Sequence, residues 1–166
     1  NRRVLNYILD YFNRVDNKEF DELIHQAAEI IVNSREVICS GIGLSDAIAK
    51  FASSLFNRKG KRTMYSEDFS SRFRGMYDEN DCALFFTVSG ETREVIDRIE
   101  ELKKYGIKII VITNNASSTA AKISDLAITY YVPSSRNDDF YSSATQVPVL
   151  YIIESIANIF IEYGIY

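Results

Sequence analysis

Two short stretches combine residue types that can hold an anion. They are Ser40-Gly41-Ile42-Gly43-Leu44-Ser45 and Thr87-Val88-Ser89-Gly90-Glu91-Thr92. Each follows an apolar run that reads as a strand, and each opens a run that reads as a helix. Glycine lets a ligand approach the backbone, and the free N–H groups of a helix start attract negative charge. Ser and Thr hydroxyls can donate to phosphate oxygens. The same residues also favour ordinary caps and tight turns, so either loop alone carries little. Two such loops at neighbouring strand ends would flank one crevice, where open parallel sheets bind ligands. Other anion motifs fail. Gly41 and Gly43 give G-x-G, but Asp46 stands where a dinucleotide fingerprint needs Gly or Ala, and no Gly-Lys-Ser/Thr follows either loop.

Acid–base candidates are few. The single histidine, His25, lies on a helix before the first strand, away from the loops, and reads as a solvated helix residue. Glu154 interrupts the apolar run 149–153 on the final helix. A helix face turned to water or to a partner's Arg explains it; a catalytic base is the alternative. Glu67 and Glu94 lie near loops and read as surface carboxylates. Arg72, Arg74 and Arg136 sit on polar connecting segments, and each could reach a phosphate, although solvation is simpler. Tyr130, Tyr131, Tyr141 and Tyr151 could stack on a sugar. Cys39 and Cys82 fall in strand-like runs and read as buried free thiols of a reducing compartment. Two Cys and one His supply neither a disulfide framework nor four zinc ligands. No metal or redox cofactor is expected.

The elements that must position these residues follow from periodicity. Apolar residues recur on one helical face over 3–12 and again over 19–33, with Asp16 and Glu19 forming a capping box before the second helix. Strands are predicted over 36–40, 61–65, 81–88, 107–113 and 125–132. Helices are predicted over 46–56, from Thr92 to Tyr105 with a stop at Gly106, up to Ser124, and over 143–163 with Pro148 in the first turns. The segment 68–76 reads as a short helix or loop, and 133–143 as a polar loop. The best strands are apolar on both faces, as buried parallel strands are. The expected fold is a three-layer α/β domain: a five-stranded parallel sheet of flavodoxin-like order 2-1-3-4-5, with helices on both faces.

Composition agrees. The 166 residues are 46% hydrophobic and 25% charged, with a net charge of −4, as in an ordinary globular domain. One domain spanning 1–166 is expected, with 1–15 as an N-terminal helix. The longest apolar runs, such as 107–113, are too short to span a bilayer, so no membrane partner is expected. No leader segment is visible, which points to the cytoplasm. An acidic domain without a basic run is a poor nucleic-acid binder by itself.

The second loop resembles the S-x-S-G-x-T signature of sugar isomerase (SIS) domains, with Thr87 in place of the first Ser. The spacing of Asp81, Gly90, Thr92, Gly106, Thr113, Ser118 and Asp125 is similar to that family, as is Gly41-x-Gly43-x-Ser45 before an Ala-rich helix. Within the group, the chain most resembles the sugar-phosphate-sensing domain of RpiR-type bacterial transcription regulators, with Phe140-Tyr141-Ser142-Ser143 entering a long final helix. The resemblance covers about 16–163. It implies a phosphosugar ligand and a homodimer or higher homo-oligomer. It implies a ligand site formed by Gly41, Gly43, Ser45, Thr87, Ser89, Gly90, Glu91 and Thr92, in which Ser45, Thr87, Ser89 and Thr92 hold the phosphate together with the Gly90 backbone. Val88 stands where some enzymes of the group have Gln, so one polar contact is missing. Any contact with DNA would pass through an N-terminal domain absent from this chain, which starts at Asn1. The alternative is a small aldose–ketose phosphosugar isomerase using Glu154 or a base from a partner subunit. A nucleotide-binding domain is a third reading.

Overall fold

Apolar strands alternating with amphipathic helices set the architecture. A computed structural model describes residues 2–66, 75–133 and 144–165. The strands are β1 (Val37–Gly41), β2 (Thr63–Tyr65), β3 (Cys82–Thr87), β4 (Lys108–Thr113) and β5 (Leu126–Thr129). All pair in parallel, in the order β2-β1-β3-β4-β5. This is the expected order.

The helices are α1 (Arg2–Val15), α2 (Lys18–Asn33), α3 (Leu44–Arg58), α4 (Arg93–Lys103), α5 (Thr119–Ile123) and α6 (Val147–Ile159), which continues as a 3-10 turn, Phe160–Tyr163. They cover both faces. Successive strand residues point to opposite sides. Val37, Cys39, Leu84, Phe86, Ile110 and Ile112 therefore pack with α2, α3 and α6. Ile38, Ala83, Phe85, Ile109 and Val111 pack with Val95, Ile99 and Leu102 of α4 and Ala120 of α5. The α1 helix lies outermost. It docks through Tyr11 and Phe12, whose rings meet Tyr151 of α6 edge-on.

Element ends depart from the periodicity for local reasons. The cap of α2 is Asn17, not Asp16. Asn17 Oδ1 accepts the Phe20 N–H at 2.9 Å, and its Nδ2 donates to the Arg14 carbonyl at 2.6 Å. The side chain thus joins the end of α1 to the start of α2. β2 is shorter than expected because Lys61 serves α2 instead: its buried ammonium donates to the Val32 carbonyl at 3.2 Å and to that of Ser34. β5 stops at Thr129. Beyond it Tyr131 has φ 49°, and Val132 pairs twice with the Asn114 side chain, each bond 2.6 Å.

The N-terminal end of the sheet is fixed by Asp81, whose side chain is fully buried. It accepts from Arg35 Nε at 3.1 Å and Nη2 at 2.6 Å, and from the backbone N–H groups of Glu36 at 3.2 Å and Asp78 at 3.0 Å. This one carboxylate ties the start of β1 to the start of β3.

Candidate functional site

Adjacency of β1 and β3 brings the two hydroxyl–glycine loops together. Gly41, the last residue of β1, is in register with Phe86 on β3. Both loops leave the C-terminal edge of the sheet there, at the switch point of the strand order.

The first loop is shaped by close approach. A Cβ on Gly41 would overlap the Ser45 carbonyl, so only glycine lets the first turn of α3 sit on the end of β1. Gly43 is the N-cap of α3, and no side chain caps that helix. Ser45 is buried in the first turn. Both oxygens of the Asp46 carboxylate have partners outside the loop. It accepts from the Tyr65 hydroxyl and lies 3.4 Å from Lys50 Nζ.

The second loop folds on its own hydroxyls. The Gly90 N–H donates to Thr87 Oγ1 at 3.2 Å, and the Glu91 N–H donates to Ser89 Oγ at 3.1 Å. Gly90 has φ 69°, and a Cβ there would overlap Ser118 Oγ. Thr92 is the N-cap of α4, yet its side chain makes no cap bond. Side chains cap two of the other helices, Asn17 at α2 and Ser118 at α5, whereas α6 also starts without a side-chain cap bond. The first amides of a helix lack intrahelical acceptors. In α3 and α4 no side chain caps them, and both helices start at this crevice.

Glu91 is occupied elsewhere. Its Oε1 accepts the Thr119 N–H and its Oε2 the Thr119 hydroxyl, both at 2.8 Å. These two donors hold its carboxyl below the usual carboxylate value.

Arg98 adds a positive charge that the sequence reading passed over. From α4 its Nη1 donates to Ser40 Oγ at 3.1 Å, and Ser40 is fully buried at the end of β1. The signal was present: position 98 lies on the same helical stripe as Val95, Ile99 and Leu102, which face the core.

The remaining candidates divide between the surface and apolar packing. His25 is exposed on α2, 4.0 Å from the Glu162 carboxylate. Glu154 is exposed on α6, and Glu94 is exposed in the first turn of α4. Tyr130 is buried, and Tyr151 belongs to the aromatic cluster with Phe12 and Phe20. Tyr131 is exposed, and its carbonyl accepts from Arg14 at 3.0 Å. Glu67, Arg72, Arg74, Arg136 and the 140–143 stretch with Tyr141 lie outside the described residues. Cys39 and Cys82 are buried free thiols, and burial pushes Cys82 up to about 11. Among the described residues, no cluster of three or more His, Cys, Asp or Glu could hold a metal, and no helix is long and apolar enough to cross a membrane.

Comparison with known proteins adds four findings. The family model for the SIS domain matches residues 30–152. Among curated proteins, the chain is 35% identical over 107 residues to the HTH-type transcriptional regulator RpiR of Escherichia coli, covering 63% of this chain and 36% of that protein. It is 29% identical over 119 residues to the arabinose 5-phosphate isomerase KpsF of Escherichia coli, covering 69% and 35%. The matches therefore span about a third of each relative's length. Among solved structures, the Vibrio vulnificus NanR protein complexed with ManNAc-6P superposes with a TM-score of 0.79 at 20% identity, covering 98% of this chain and 60% of that one.

Proposed function

This chain belongs to the SIS domain family, and from that premise we propose that it is the phosphosugar-binding effector domain of an RpiR-like transcriptional regulator. One observation carries the proposal. Two helices start, without side-chain caps, at adjacent strand ends, and hydroxyls surround both starts. Such a crevice attracts a phosphate through amides and helix dipoles and orients it through hydroxyls. Ser45, Thr87, Ser89 and Thr92 supply the hydroxyls, and the Gly90 backbone joins them. Gly41 and Gly43 let the ligand approach the first loop. Arg98 adds positive charge behind β1. The ligand needs no cofactor to bind.

The similarity to RpiR supports the regulator. In that reading DNA is contacted by a separate N-terminal domain, the protein is a cytoplasmic homodimer, and the ligand favours one of two subunit arrangements. The similarity to KpsF supports a second reading, an aldose–ketose phosphosugar isomerase. Calorimetric titration with arabinose 5-phosphate and ManNAc-6P, alongside a turnover assay, separates the two. Binding without turnover supports the sensor. Turnover abolished by Glu154→Gln supports the enzyme. In either case Ser89→Ala weakens binding by more than about tenfold, the worth of a hydrogen bond to a charged group, with an unchanged circular dichroism spectrum. Unchanged affinity would remove the site assignment.

A further inference from the structure

We infer that Glu91 is a positioning residue: its carboxylate clasps the start of α5 and so holds the Thr87–Thr92 loop in the shape that presents its amides and hydroxyls. The inference rests on the crevice reading above for its purpose, and on the clasp geometry for its existence.

The clasp is continuous over three residues of the next connection. Ser118 lies against Gly90 so closely that no side chain fits between them. Thr119 gives both its N–H and its hydroxyl to Glu91, at 2.8 Å each. The Ala120 N–H donates to the Gly90 carbonyl at 3.0 Å. The other half of the loop is tied to the end of β4, where the Asn114 N–H and the Thr113 hydroxyl donate to the Val88 carbonyl at 3.0 and 3.2 Å. Within the loop, the Thr87 and Ser89 hydroxyls accept local amides. Glu91 instead carries side-chain bonds out of the loop to a residue 28 positions later.

The clasp resolves an electrostatic conflict. A free carboxylate beside an anion site repels the ligand. Here both oxygens accept charge-assisted bonds from one partner, so the negative charge is held at the start of α5 and not turned to the crevice. The amide of Gln can reproduce the arrangement, because its oxygen accepts the Thr119 N–H while its NH2 donates to the Thr119 hydroxyl oxygen. Alanine cannot.

The test is a set of four variants titrated with arabinose 5-phosphate and ManNAc-6P. Glu91→Ala raises the Kd roughly tenfold, Glu91→Gln stays within about threefold of the parent, and Thr119→Val weakens binding by a few-fold. The double variant Glu91→Ala/Thr119→Val binds no worse than Glu91→Ala alone, because one interaction is lost only once. A Gln variant as weak as the Ala variant, or two losses that multiply, would overturn the inference and make Glu91 a direct ligand contact. Amide exchange of the ligand-free protein gives an independent reading. Gly90 and Thr119 exchange faster in Glu91→Ala than in the parent or in Glu91→Gln; equal rates in all three overturn the clasp. If the parent binds neither sugar phosphate but this exchange pattern is found, the crevice reading falls and the clasp stands.

Discussion

Thr119 shapes the acid behaviour of Glu91. Its N–H, then its hydroxyl, hold the Glu91 carboxyl below the ordinary 4.5. The unfolded chain therefore binds more protons in the window between the two values. The stabilisation is complete above 4.5 and is lost as the pH falls through the lowered folded value. Carboxyl carbon chemical shifts, followed through a pH titration, measure that value directly. Thr119→Val removes the hydroxyl but keeps the N–H, so the Glu91 titration moves part of the way back toward 4.5. An unmoved titration would place the cause elsewhere. The two loops were legible in the sequence only as a pair: either alone reads as an ordinary cap or turn, and two at neighbouring strand ends point to one crevice. The partner of Glu91 was not, since nothing local announces a bond to position 119. Nor was the seat of Arg98 on Ser40, which exists only once α4 packs on the sheet face that Ser40 shares with Ile38.

At the scale of elements, what decides the site is that β1 and β3 are neighbours. Their pairing runs from Val37 with Cys82 to Gly41 with Phe86. Asp81 secures its first rung by accepting two bonds from Arg35 and one from the Glu36 backbone. Removing that acceptor strands two half-buried backbone donors and part of a guanidinium. Asp81→Ala therefore costs about 3 kcal/mol, discounted because Arg35 is half exposed, and urea unfolding with an unchanged m-value checks it. A loss below about 1 kcal/mol would mean that water replaces Asp81. Strands β1, β3 and β4 were readable because each carries an unbroken apolar run, 37–39, 82–86 and 109–112. The ends of β2 and β5 were not, because tertiary partners set them: Lys61 leaves β2 to cap α2, and Asn114 draws Val132 away from β5. The cap at Asn17 was missed by one residue, since Asp16 offers the same chemistry and only the backbone turn chooses between them.

Across the whole molecule, the two ends of the sheet have separate tasks. The strand starts hold Asp81, Arg35 and Lys61, which serve the frame. The strand ends hold the hydroxyl–glycine loops of the proposed phosphosugar site. Between them the two cores, one on each face, are continuous apolar packing. A ligand that binds only the folded chain stabilises it by mass action, about 2.7 kcal/mol at a hundred times its Kd. For a domain of this size that is a rise in Tm of roughly 5 to 10 °C. The separation of tasks predicts opposite behaviour in two variants at the same concentration of arabinose 5-phosphate or ManNAc-6P. Asp81→Ala melts lower without ligand but keeps the full ligand-induced rise in stability, because the far end of β3 is untouched. Ser89→Ala melts like the parent without ligand, and a tenfold weaker Kd leaves about half of the rise. Thermal melts of the three proteins with and without ligand decide the matter. An Asp81→Ala protein that also loses the ligand-induced rise would show that the frame and the crevice are one cooperative unit, with the ligand read through the whole sheet and not through its edge.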